Sequence, residues 1–290
     1  MRGESQRLRI GGHLLHRMVM HPEDEVSPRA EAIFYHGQGD YAERYLDLLV
    51  PFTAHGIRCT VTELPGHGES SGRRGHAGNE ALLDQIIGSM ISDIEKRGGL
   101  PYGVMGHSMG GLLAARHLAL AGQGLIPSPR FAWLSSPLVK PAEGRARFFV
   151  LLVRLLALIS PSVTFSTRVN RGHRAVDGSD SANESPDNPL PKHPLWHNRI
   201  SMGWASCLVD FARLVRESIR HAPADVPLLL TQGSEDPVCP PALARKLFED
   251  LPMTQKHYVE LEGLLHDPFR GDGADEFYLE LGRWLGALKL

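Results

Sequence analysis

The chain has 290 residues, 42% of them hydrophobic and 22% charged, with a formal net charge of −2. That length carries one large core plus an insertion, the apolar share is that of an ordinary globular protein, and a charge near zero gives no electrostatic reason to expect nucleic acid. Cys59, Cys207 and Cys239 are widely spaced with no C-x-x-C or zinc pattern, so they read as free thiols of a reducing compartment. The charged residues 1–7 lack the apolar core of an export signal, which makes the cytoplasm the expected location.

In chain order, short strands are expected at residues 8–10 and 14–20, then at 32–35, 56–63 and 102–105. Between them, residues 41–55 and 79–97 carry apolar residues three and four apart, the spacing of one helix face. Residues 112–120 read as a further helix and 131–134 as the next strand, closed by Ser135-Ser136-Pro137. About 90 residues then precede the compact apolar strand 226–231 (VPLLLT), far more than one crossover needs, so this stretch is expected to form a separate lid. Residues 256–262 alternate as a last strand. Strands alternating with helices of this length imply an α/β fold, a mostly parallel sheet with helices on both faces. The expected organisation is a core built from residues 1–137 and 223–290, with a helical lid of residues 138–222 inserted.

Gly106-His107-Ser108-Met109-Gly110-Gly111 lies between the strand at 102–105 and the helix at 112–120. A serine framed by glycines at a strand-to-helix turn is a nucleophile elbow: the turn lifts the serine oxygen clear of the sheet and is too sharp for side chains on either side. Such a serine needs a base to take its proton and an acid to hold that base in one tautomer. The loop Gln232-Gly233-Ser234-Glu235-Asp236-Pro237, at the carboxyl end of strand 226–231, offers the acid. Glu235 competes there, and Asp236, in the turn before Pro237, is preferred. Two histidines follow. His257 falls inside the last strand and reads as a partly buried structural residue, whereas His266, in the loop beyond, is the expected base. An oxyanion needs two backbone donors, and these are assigned to Met109 and to Gln38 in the loop His36-Gly37-Gln38-Gly39 after strand 32–35. His36 and Gly37 are candidates for substrate contact from that loop. His36 and His67 also read as residues that hold their turns by side-chain hydrogen bonds, and His107 as one that packs or hydrogen-bonds beside the serine.

Five runs carry a resemblance: His36-Gly37-Gln38-Gly39-Asp40 with Arg44-Tyr45; Pro65-Gly66-His67-Gly68-Glu69-Ser70 with Gly72; residues 106–111; residues 232–236; and Glu262-Gly263 with His266. Together they resemble the monoacylglycerol lipase and lysophospholipase branch of the α/β-hydrolases, also described as serine aminopeptidase-like, over nearly the whole chain. The resemblance implies an α/β-hydrolase fold, a Ser108–Asp236–His266 triad and a lid over an acyl-chain tunnel. It further implies hydrolysis of carboxylic esters such as monoacylglycerols or lysophospholipids, through an acyl-enzyme on Ser108 and with no metal or organic cofactor. Amide or peptide hydrolysis on the same triad, and a non-catalytic small-molecule-binding protein, stand as alternatives because fold does not fix function. The chain departs from the family pattern at Glu63, where Asp is usual, at His193, where a lid Asp-Pro-Leu is common, and in the polar residues 170–187. Cys239 stands where animal monoacylglycerol lipase carries a cysteine and reads as a small buried filler.

Within the lid, residues 148–159 (FFVLLVRLLALI) form the longest apolar segment, too short for a membrane span and interrupted by Arg154. Three readings compete: a helix lining the acyl pocket, with Leu152 and Leu156 against substrate; a helix that also touches a membrane or micelle surface; and plain lid core. Residues 170–187 are expected to form a mobile loop. His173, His193 and His197 match no standard metal-ligand spacing. The expected partner is a small ester with an acyl chain, and no oligomeric state is implied.

Overall fold

The computed structural model describes residues 2–23, 27–141, 143–145, 147–167 and 193–290, so His173 and the run 170–187 lie outside the described residues. Eight strands form one sheet: β1 (Arg2–Ile10), β2 (His13–His21), β3 (Ala30–Tyr35), β4 (Ile57–Thr62), β5 (Tyr102–His107), β6 (Phe131–Ser135), β9 (Leu228–Gly233) and β10 (Lys256–Leu261). Their spatial order is β1-β2-β4-β3-β5-β6-β9-β10. The pairs β1–β2 and β2–β4 are antiparallel, and every pair from β4 to β10 is parallel. The chain therefore has the doubly covered, mostly parallel sheet of an α/β-hydrolase.

The central strands are apolar throughout because both of their faces are covered. Successive side chains point to opposite faces. Ile33, Tyr35, Val104, Ala132, Leu134, Leu228 and Leu230 enter one core, while Ala32, Phe34, Met105, Phe131, Trp133 and Leu229 enter the other. Helix α2 (Glu80–Lys96) packs Leu83, Ile86, Ile87, Met90, Ile91 and Ile94 into the first core, three- and four-residue steps that make one face. Its start is fixed by Asn79, whose side chain accepts from the Leu82 N–H at 3.0 Å. Helix α1 (Leu46–Ala54) and the helix Ala274–Ala287 cover the opposite face.

Several elements differ from the sequence expectation. The first strand runs from Arg2, not Leu8, because its pairing with β2 supplies hydrogen bonds that a charged, solvent-facing segment shows in no apolar pattern. The helix expected over 41–55 begins as a 3-10 turn, Ala42–Tyr45, before α1. His257 is exposed on the edge strand β10, not partly buried, since β10 has a neighbour on one side alone.

The connection from β6 to β9 carries α4 (Arg147–Ile159), a two-stranded ribbon of β7 (Thr164–Ser166) and β8 (Arg199–Ser201), and α5 (Met202–Ser218). These do not all stand apart as a lid. Helix α5 sends Trp204, Leu208, Phe211, Ala212 and Val215 into the same core cluster as α2 and α3 (Met109–Gly122), so one of its faces belongs to the body of the protein. Helix α4 rests on α5. It buries Val153 while Phe148, Leu151, Leu158 and Ile159 stay exposed, which removes the reading of residues 148–159 as plain core. Among the described residues, no helix is long and apolar enough to cross a membrane.

Candidate active site

Strands β5, β9 and β10 run parallel in the sheet, so the loops at their carboxyl ends open on one edge, where open α/β sheets hold their ligands. Ser108 follows β5 directly and adopts φ 56° and ψ −118°, a conformation that costs a non-glycine residue about 1–3 kcal/mol. The turn holds because the Ser108 N–H donates to the Ser135 carbonyl at 2.9 Å, and the Ser108 carbonyl accepts from the N–H groups of Leu138 and Leu112. The flanking glycines are required by space: a Cβ on Gly110 would stand 1.8 Å from the Tyr35 carbonyl oxygen, and one on Gly106 would stand 2.1 Å from that of Gly110.

His266 reaches Ser108 from the loop after β10, with Nε2 3.0 Å from Ser108 Oγ. Its Nδ1 lies 2.8 Å from Asp236 Oδ2. The other carboxylate oxygen of Asp236 accepts from the N–H groups of Val238 and Cys239 at 2.8 and 2.9 Å. Burial pushes the Asp236 pKa up, but the facing His266 and the Cys239 and Val238 donors outweigh it and hold the carboxyl below its ordinary range. Glu235, the competing carboxylate, is exposed, whereas Asp236 is buried. The three expected residues thus meet in one hydrogen-bonded line. Sequence reasoning missed Gln232, whose Nε2 donates to Asp236 Oδ2 at 2.9 Å from the end of β9.

Met109 is the first residue of α3, where leading N–H groups have no acceptor within the helix and the dipole favours negative charge. The loop bearing Gln38 is braced on both sides. The Gly37 carbonyl accepts from His36 Nδ1 at 2.8 Å and from the Asp40 N–H at 3.3 Å. His36 Nε2 accepts from the Leu64 N–H at 2.9 Å, and the Gly37 N–H donates to Tyr45 Oη at 2.9 Å. Both His36 ring nitrogens and the Gly37 N–H are therefore used within the protein, which leaves none of these polar groups for the substrate contact expected of the two residues. His67 likewise holds its turn, with Nδ1 donating to the Pro65 carbonyl at 3.0 Å. Glu63 uses its longer arm to accept from the Ala42 and Glu69 N–H groups at 2.7 and 2.6 Å, which ties the turn around His67 to the segment that follows the Gln38 loop.

Leu152 and Leu156 lie on α4 and remain 40% and 37% exposed. His193 stacks on Tyr41 with ring centroids 4.4 Å apart. His197 is buried and its Nε2 donates to the Gly66 carbonyl at 3.1 Å. Among the described residues, the groups compact enough to share an ion are His107–His266–Asp267 and Asp236–Cys239–His266, and neither contains His193 or His197. The cysteines are free thiols, with Cys59 and Cys239 buried.

A nucleophile elbow, a serine–imidazole–carboxylate line and a doubly covered parallel sheet define an α/β-hydrolase. The chain matches the family "Serine aminopeptidase, S33" over residues 26–272 and belongs to it. It is 29% identical over 266 residues to an abhydrolase domain-containing protein of Dictyostelium discoideum, covering 90% of this chain but 27% of that longer protein. With the monoacylglycerol lipase of Mycolicibacterium smegmatis it shares 25% identity over 257 residues, 84% of each chain. The crystal structure of Paleococcus ferrophilus monoacylglycerol lipase superposes with a TM-score of 0.78 at 25% identity, covering 95% of this chain and 99% of that one. The protein is thus a hydrolase of the monoacylglycerol lipase-like branch.

Proposed function

We propose that the protein hydrolyses carboxylic esters of the monoacylglycerol or lysophospholipid kind through an acyl-enzyme on Ser108. The observation that carries this reading is the line of hydrogen bonds from Ser108 Oγ through His266 to Asp236. His266 Nε2 takes the Ser108 proton as Oγ attacks the ester carbonyl, and ionised Asp236 holds Nδ1–H and stabilises the imidazolium. The Gln38 and Met109 N–H groups receive the oxyanion. His266 then protonates the leaving alcohol, and water attacks the acyl-enzyme by the same route.

The acyl chain is assigned to the lid, residues 138–222, whose helix α4 offers the apolar surface around Leu152 and Leu156. The same exposed face makes transient contact with a membrane or micelle. A chain-length series of p-nitrophenyl esters and monoacylglycerols tests the substrate class. Each methylene buried against the lid adds about 0.8 kcal/mol of binding, so kcat/KM is expected to climb from acetate to medium-chain esters. A flat series would remove the lipid assignment and leave a general esterase. Faster turnover of matched p-nitroanilides than of the esters would favour the amide-hydrolase alternative.

A further inference from the structure

We infer that Trp204 is a positioning residue for the oxyanion donors and that it acts through the side chain of Gln38. The inference rests on the assignment of the Gln38 N–H as one of those donors. That N–H belongs to the peptide whose oxygen is the Gly37 carbonyl, and in a trans peptide the two point in opposite directions. His36 Nδ1 and the Asp40 N–H fix the oxygen, so from the sheet side they aim the Gln38 N–H as well.

The second hold comes from the β6–β9 connection. Trp204 Nε1 donates to Gln38 Oε1 at 2.8 Å, and Gln38 Nε2 donates to the Arg199 carbonyl at 3.1 Å. An indole nitrogen can only donate and a backbone carbonyl can only accept, so these partners set the amide in one orientation. Trp204 is fully buried in the first turn of α5, and its own N–H donates to the Ser201 cap at 3.1 Å. The loop is also pinned beside Gln38, where the His197 N–H donates to the Gly39 carbonyl at 3.0 Å. Gly39 has φ 80°, and a Cβ there would stand 1.8 Å from the His197 carbonyl oxygen, so this close approach admits glycine alone.

The oxyanion loop is therefore clamped between the sheet and the connection that carries the lid. Negative charge develops on the substrate oxygen in both acylation and deacylation. Loosening the clamp lowers both rates together, which reduces kcat and leaves KM in place.

The test uses Trp204→Phe, which keeps the ring and removes the donor, Gln38→Met, which keeps the length and removes both polar atoms, and the double variant. Deleting an oxyanion donor outright costs about 100-fold or more, so misaligning one is expected to lower kcat by about 10-fold in each single variant with KM within about twofold. Gln38→Met breaks the Trp204 link together with the Arg199 one, so Trp204→Phe has nothing further to remove there and the double variant is expected to be no worse than Gln38→Met alone. Wild-type kcat in Trp204→Phe, a double variant equal to the product of the singles, or a rise in KM at constant kcat would overturn the inference. Should Trp204→Phe fail to fold, Gln38→Met alone decides through the same kcat and KM readout. Ser108→Ala in the same assay separates the two proposals: an inactive Ser108→Ala beside a fully active Trp204→Phe sinks the clamp only, whereas hydrolysis by Ser108→Ala sinks the serine mechanism itself.

Discussion

Asp267, the residue after His266, accepts a hydrogen bond from Nε2 of His107, the residue before Ser108, at 2.9 Å. The chain neighbours of His266 and of Ser108 are thus tied to each other beside the Ser108–His266 hydrogen bond. The second carboxylate oxygen of Asp267 takes Arg44 at 2.8 Å, Arg44 faces Asp40 at 3.3 Å, and Tyr45 donates to Asp40 at 2.6 Å. Tyr45 in turn accepts the Gly37 N–H, so the network ends in the loop that carries Gln38.

Removing the charge of Asp267 strands part of this network. Asp267 and Arg44 keep only 1% and 15% of their side-chain surface exposed, and breaking one partner of a buried pair costs about 3 kcal/mol. Asp267→Asn is expected to lower the urea unfolding midpoint accordingly and to reduce activity as His266 loses its lateral support. An unchanged midpoint would show that the pair holds nothing.

The carboxylate pair after β9 gives a sharper contrast. Asp236→Asn leaves the geometry but favours the wrong His266 tautomer, with an expected loss of about 10⁴-fold in kcat. Glu235→Gln changes an exposed side chain and is expected to leave steady-state rates near wild type. The reverse ranking in those assays would assign the acid to Glu235.

The backbone at Ser108 supplies a third prediction. Its positive φ favours glycine, so Ser108→Gly is expected to be more stable than Ser108→Ala by about 1 kcal/mol while both are inactive. Equal thermal midpoints would mean that the elbow holds no strain.

What was legible in the sequence were groups set by local rules. Ser108, His266 and Asp236 could be placed because an elbow and two strand ends announce their loops. Asp267 and Trp204 could not be assigned their tasks because their partners are remote in the chain: Trp204 and Gln38 are 166 residues apart, and Asp267 and His107 are 160 apart. Gln232 and Tyr45 bond residues only four to eight positions away, but no local spacing rule marks a strand-end amide or a helix-start phenol as the partner of a carboxylate. Arg44, Tyr45 and Asp40 were visible only as part of a family pattern. Helix α5 carries Trp204, Leu208, Phe211 and Val215 at three- and four-residue spacing, but that spacing marks a helix face without saying whether it packs on the lid or on the body of the protein. His257 looked half-buried because alternation marks a strand without telling an edge from a centre.

Buried histidines make stability pH-dependent. His117 lies between Tyr35 and Tyr102, 3.0 Å from each hydroxyl, and burial lowers its pKa to about 3. Burial, with Arg74 nearby, lowers that of His197 to about 4. Both folded values lie below the ordinary 6.5, so the unfolded chain binds protons first as pH falls. Their stabilisation is fully present above about pH 6.5 and is lost downward, at up to about 1.4 kcal/mol per pH unit for each histidine. His16 acts with the opposite sign: Glu63, whose carboxylate lies 3.0 Å from its Nδ1, raises its pKa against burial, so its contribution fades as pH rises through the folded value. Burial lowers His36, His67 and His76 as well, so five lowered histidines stand against His16 raised, and the urea midpoint is expected to fall from pH 6.5 to pH 5. A flat profile over that range would contradict the neutral burial of His117 and His197.

The central claim is that Ser108 Oγ carries the acyl group. Intact-protein mass spectrometry after reaction with a fluorophosphonate, followed by peptide mapping, reads that atom directly. The expected result is one adduct per chain, located on Ser108, absent from Ser108→Ala and strongly slowed in His266→Ala, with ester hydrolysis lost in step with labelling. An adduct that persists in Ser108→Ala, or ester hydrolysis that continues after Ser108 is fully labelled, would contradict the account.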